Sequence, residues 1–152
     1  MPILKDQLRA DLTTAMKARD ETRTRALRMA LTSISNEQVS GAVARDLTDD
    51  EIVRILTREA KRRREAAAAF AEAGRAEQAA AERAEEDVLA AYLPAQLDDA
   101  ELATLVADAI AETGASGPGG IGQVMKAITP KVAGRAEGSR VAAMVRSQLT
   151  ST

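Results

Sequence analysis

The sequence contains neither cysteine nor histidine. Without cysteine there is no disulfide, no thiolate nucleophile and no cysteine-based metal site. Without histidine the usual general base at neutral pH and the commonest metal ligand are missing. A nucleophilic triad and an ordinary zinc site are thereby nearly excluded, a metal held by carboxylates alone and a Ser-Lys mechanism stay open but unsignalled, and no catalytic residue, cofactor or metal is expected. Aromatic residues are almost absent too, Phe70 and Tyr92 being the only two. With neither of them near the cations of the last third, stacking of single-stranded bases on aromatic rings is not expected. No apolar run approaches the roughly 18 residues that span a bilayer. The start, "MPILKDQLRADL", has no continuous apolar core of a signal peptide. A soluble cytoplasmic protein with no membrane contact is the expectation.

What the chain has in abundance is alanine, 33 of its 152 residues. Alanine is the best helix former, so the composition leans all-α. With few large apolar side chains, small helical packets suit the sequence better than one thick core. Net charge is −2, but it is unevenly spread. Residues 95–117 carry five acids and no cation, whereas residues 118–152 carry five cations against Glu137 alone.

Apolar periodicity marks seven helices. Leu4, Leu8, Leu12 and Met16 form a stripe on the first. Asp20 is a candidate N-cap for the second, which turns Leu27, Leu31 and Ile34 inward and fades near Gly41. "LTDDEI" opens the third with a capping box, Thr48 with Glu51, and a staple, Leu47 with Ile52. That helix runs to Gly74. An Ala-rich fourth helix stops before Pro94. Asp98 with Glu101, flanked by Leu97 and Leu102, repeats the start pattern for the fifth, which ends at Gly114. A short sixth helix, "IGQVMKAI", and a seventh from about Ser139 complete the chain. The expected architecture is a four-helix N-terminal part, residues 1–94, followed by a compact three-helix module, residues 95–152.

Three charged or glycine-rich motifs suggest sites but read more simply. "KRRRE" (Lys61–Glu65) suggests a phosphate stripe, yet Glu59 precedes Arg63 by four and Lys61 precedes Glu65 by four, so local ion pairs are available. "GPGGIG" lacks the Lys-Ser/Thr ending of a phosphate loop and has no strand before it. Glu82, Glu85, Glu86 and Asp87 spread around a helix, which favours solvated carboxylates over a metal site. The stretch "ITPKVAGRAEGSRVAAMV" differs. Pro130 and Gly134 break a helix, and Lys126, Lys131, Arg135, Arg140 and Arg146 surround the break. Cations near a helix C-terminus each stabilise it by about 0.3–1 kcal/mol, which accounts for Lys131 and Arg135. The rest form either a solvated surface or one that tracks the phosphates of a folded RNA.

"GQVMKAITPKVAGRAEGSRVAAMVRSQL", "AYLPAQL" and "AMKARDETRTRALRMALTSISNEQV" together resemble the YqeY-like family over nearly the whole chain. Where that family usually has Asp-Met before the glycine of the sixth helix and Lys after it, this sequence has Gly120, Ile121 and Gln123. The resemblance implies an all-α fold whose C-terminal module is similar to the tail domain of the B subunit of glutamine-dependent aminoacyl-tRNA amidotransferase. In that enzyme the tail holds tRNA. The implied function is a non-catalytic tRNA-binding module. Lys126, Lys131, Arg135, Arg140 and Arg146 would contact phosphates, and Gly134 and Gly138 would permit close backbone approach. An adaptor for an amidotransferase or an aminoacyl-tRNA synthetase is the alternative. Carbon–nitrogen ligase activity with glutamine as amide donor is a third reading, and DNA is not expected as a partner.

Overall fold

The computed structural model describes residues 3–151. Among these residues the chain forms seven α-helices and one 3-10 turn, with no strand, as the alanine content implies. None of those helices is long and apolar enough to cross a membrane. The chain divides into two compact units, Met1–Leu93 and Pro94–Thr152.

In the first unit α1 (Ile3–Lys17), α2 (Glu21–Gln38), α3 (Asp49–Glu72) and α4 (Ala76–Ala90) surround one core. Asp20 caps α2, its carboxylate accepting from the Arg23 N–H at 3.1 Å. Thr48 and Glu51 cap α3 reciprocally: the Glu51 N–H donates to the Thr48 hydroxyl at 3.2 Å and the Thr48 N–H to the Glu51 carboxylate at 2.8 Å. Leu47 and Ile52 are both buried beside that cap. The α1 stripe is only partly inward. Leu8 is buried, Leu4 and Leu12 are half-buried, and Met16 is exposed while Ala15 takes its place inside. A spacing of four overshoots the 3.6-residue turn, so the fourth member has rotated away. Small buried residues, Ala60, Ala67 and Ala79, let α3 and α4 pack closely. α4 ends at Ala90, four residues before Pro94, and Tyr92 then donates its hydroxyl proton to Asp11 of α1.

The second unit holds α5 (Asp99–Thr113), the 3-10 turn Pro118–Gly120, α6 (Ile121–Val132) and α7 (Gly138–Thr150). Stripes at i, i+4 and i+8 meet in its core: Leu102 and Val106 from α5, Val124, Ile128 and Val132 from α6, Val141, Val145 and Leu149 from α7. Asp98 and Glu101 repeat the reciprocal cap, at 2.7 and 3.0 Å. Gly120 is needed where it stands, because a Cβ there would lie 2.8 Å from the Ala115 Cβ. One boundary moves. The sixth helix, expected over Ile121–Ile128, continues through Pro130 to Val132 and ends before Gly134, in the turn that the proline and the glycine mark. Burying Val132 as the third member of the stripe stabilises by about 1.5–3 kcal/mol, comparable to the roughly 3 kcal/mol that an internal proline costs.

Candidate nucleic-acid interface

The five cations of the second unit meet different fates. Lys131 Nζ lies 3.0 Å from the Glu112 carboxylate of α5. Arg140 Nη2 donates to Asp99 Oδ1 at 2.9 Å and to the Leu97 carbonyl at 2.8 Å. Arg135 Nε donates to the Ala95 carbonyl at 3.2 Å. Lys126 and Arg146 are exposed, and their side chains have no partner among the described residues. The acidic α5 therefore neutralises part of the basic stretch. Counted over the whole unit, five cations face six acids, a net charge of −1.

The cations are not aimed in one direction either. Lys126 and Lys131 are five residues apart on α6, about 140° around its axis. Lys126 points opposite the buried Val124–Ile128–Val132 stripe, and Lys131 flanks it. Arg140 and Arg146, six apart on α7, diverge by about 120°.

The helix break has a structural use. Gly134 adopts φ 73°, a left-handed conformation that glycine takes without strain. The chain then turns so that the Gly134 carbonyl accepts from Gln96 Nε2 at 2.9 Å and the Arg135 carbonyl from the Leu97 N–H at 2.8 Å. With the Arg135 and Arg140 side chains reaching back to Ala95, Leu97 and Asp99, five bonded contacts fasten residues 95–99 to the α6–α7 turn. Gly138, the first residue of α7, has open space where a Cβ would stand, so the packing of this unit does not itself require a glycine there.

In the first unit, every cation of the "KRRR" run is paired. Lys61 lies 3.9 Å from Glu65, Arg62 3.1 Å from Glu59, Arg63 3.6 Å from Glu59, and Arg64 3.0 Å from Glu86. The acids of α4 are not simply solvated. Glu85 is buried, its carboxylate 3.4 Å from Arg63 Nε, and Glu82 reaches the same atom at 3.9 Å. Burial raises the Glu85 pKa, against the pull of Arg63. Ser33 and Arg62 complete the shell around Glu59. No group of three acidic side chains among the described residues is placed to hold a metal ion. Sequence reading missed this cluster because its members come from three helices. The one local clue was the Glu59–Arg63 spacing.

A family model described as Yqey-like protein matches residues 5–149, nearly the whole chain. No curated protein matches it.

Proposed function

The chain belongs to the YqeY-like family, and from that premise we propose a cytoplasmic, non-catalytic module that associates with tRNA. In this reading the compact units act as a four-helix N-terminal domain and a three-helix domain that plays the part of an amidotransferase tail. The observation that carries it is the pair Lys126 and Arg146, exposed and without acidic partners in the second unit. Lys131 and Arg140 supplement them. Their ion pairs sit at the surface, where such pairs contribute about 0–1 kcal/mol, so a phosphate can replace the carboxylate. Gly134 shapes the turn between α6 and α7, and Arg135 on that turn adds a further phosphate contact.

The reading fixes a salt dependence. Each neutralised phosphate contributes a slope of about −0.9 to log K against log salt. Two contacts give about −2, and recruitment of Lys131, Arg135 and Arg140 steepens it to about −4 or −5. Filter binding of tRNA across salt concentrations measures it. Lys126→Ala with Arg146→Ala should abolish most of the binding. Undiminished binding by that double variant sinks the reading.

The charge balance favours a second reading, the adaptor. A unit with net charge −1 has no long-range attraction for a polyanion. A synthetase or amidotransferase retained on the immobilised chain after RNase treatment supports the adaptor, and loss of all partners on RNase treatment opposes it. Carbon–nitrogen ligase chemistry has the least support, since the sequence offers neither thiol nor imidazole. Glutaminase activity in the purified protein would reinstate it.

A further inference from the structure

α3 carries two arginines that the fold does not use. Arg54 and Arg58 are exposed, and neither has a hydrogen bond or ion pair among the described residues. They stand one turn apart and in line with Arg62, so like charges repel along one face. The cations that follow them on the same helix are all neutralised by acids. At the foot of Arg54 and Arg58 lies a cleft of about 190 Å³, floored by the buried Leu47 and Ile55. Its rim adds Arg45, Glu51 and Glu37. Glu51 is already committed, to Arg45 at 2.9 Å and to the Thr48 N–H.

Beside the cleft runs the segment that joins α2 to α3. It is held in shape: the Arg45 N–H donates to the Gln38 carbonyl at 3.0 Å, and Gln38 also bonds Lys5. Yet it presents Val39 at 65% and Val43 at 78% exposure, two of the most exposed large apolar side chains described. Arg45 lines both the cleft and a hollow that Val39 lines with Lys5 and Gln38, so the unpaired guanidiniums, the apolar floor and the exposed segment adjoin through it.

We propose that this face docks an acidic segment of another protein, with carboxylates on Arg54 and Arg58 and an aliphatic side chain against Val39, Val43 and the cleft. Charge complementarity selects the acid. The rim totals three cations and two acids, which suits one or two carboxylates and resists a continuous run of phosphates past Glu37. Aliphatic valines cannot stack bases as aromatic rings do. The cleft is smaller than the roughly 300 Å³ of ordinary small-molecule pockets, and so fits a side chain better than a metabolite. This proposal rests on neither reading of the second unit.

The test is selection of a displayed random-peptide library on the full chain, followed by fluorescence anisotropy with the selected peptides. Peptides rich in Asp or Glu with an interspersed Leu, Ile or Val are expected. They should bind at least about tenfold more weakly to an Arg54→Glu, Arg58→Glu variant, the loss expected for charged hydrogen bonds. Replacing the peptide acids by lysine should restore binding to that variant. Backbone amide shifts on titration should gather at Val39, Val43, Leu47 and Ile55. Because both arginines are exposed, the variant should keep the helical circular dichroism and the tRNA affinity of the parent. Failure to select acidic peptides, affinity indifferent to the double reversal, or displacement of the peptide by a single-stranded oligonucleotide at the same amides would overturn the proposal.

Discussion

The first unit carries sixteen cations against seventeen acids and the second five against six, so each has net charge −1. Only the first takes charge inside. Arg63, Glu59 and Glu85 are the buried charged residues among those described, and all three belong to it. The second unit keeps its ion pairs at the surface and directs Arg135 and Arg140 to backbone carbonyls instead. A buried cluster adds little net stability, because desolvation offsets the attraction, yet removing one member is costly. Surface fasteners are weak singly but set the register of two segments. The comparison teaches that equal net charges say nothing about where a protein is fragile.

The sharpest way to break the contrast is to remove the buried cation. Arg63→Ala leaves Glu85 and Glu59 without their shared partner and should destabilise the first unit by about 3 kcal/mol, the low end for such losses because Arg62 and Ser33 still engage Glu59. Urea unfolding measures it. Next comes a steric change in the second unit. Gly120→Ala forces a methyl against Ala115 and should cost about 1–3 kcal/mol. A fastener is worth less. Arg140→Ala should lose about 1 kcal/mol, most of it from the Leu97 carbonyl bond, since the Asp99 pair is exposed. An equal loss for Arg140→Ala and Arg63→Ala would erase the distinction between the units. At the bottom of the scale, Lys126→Ala and Arg146→Ala should shift stability by less than about 0.5 kcal/mol, as surface changes do.

Acid titration sharpens the picture within the first unit. The bond from Arg45, and after it the Thr48 N–H, holds the Glu51 carboxyl at about 2 instead of the ordinary 4.5. A lowered folded pKa means the unfolded chain takes up the proton first. The contribution of Glu51 is therefore present above about 4.5 and lost as pH falls toward 2. Glu85 runs the other way: burial raises its pKa, so acidification relieves it. Stability measured against pH should fall less steeply below 4.5 for Glu51→Gln than for the parent. An unchanged slope would show that the cap carries no charge linkage.

Features decided within one helical turn were legible in the amino-acid sequence. Both capping boxes, the Asp20 cap and the Glu59–Arg63 and Lys61–Glu65 pairs fall where spacing puts them. Features decided at long range were not. Arg140 meets Asp99 across 41 residues and Lys131 meets Glu112 across 19, so a tally of charge along the chain reads as a basic module what folding partly neutralises. The fate of Pro130 was hidden for a similar reason: whether a proline ends a helix depends on what the next turn buries, and that is settled by α5 and α7. Of the candidate site, Gly134 was readable from its type, and the unpaired state of Lys126 and Arg146 was not.

The fastening of residues 95–99 to the turn at 134–140 has a consequence for synthesis. The ribosome releases "AQLDD" some forty residues before Gly134, Arg135 and Arg140 exist to receive it. Until they emerge, the α5 acids and the Leu97 side chain stay in water. The first unit, whose four helices and core residues all come from the chain up to Leu93, is free to fold on the nascent chain while its successor is still waiting for its last helices.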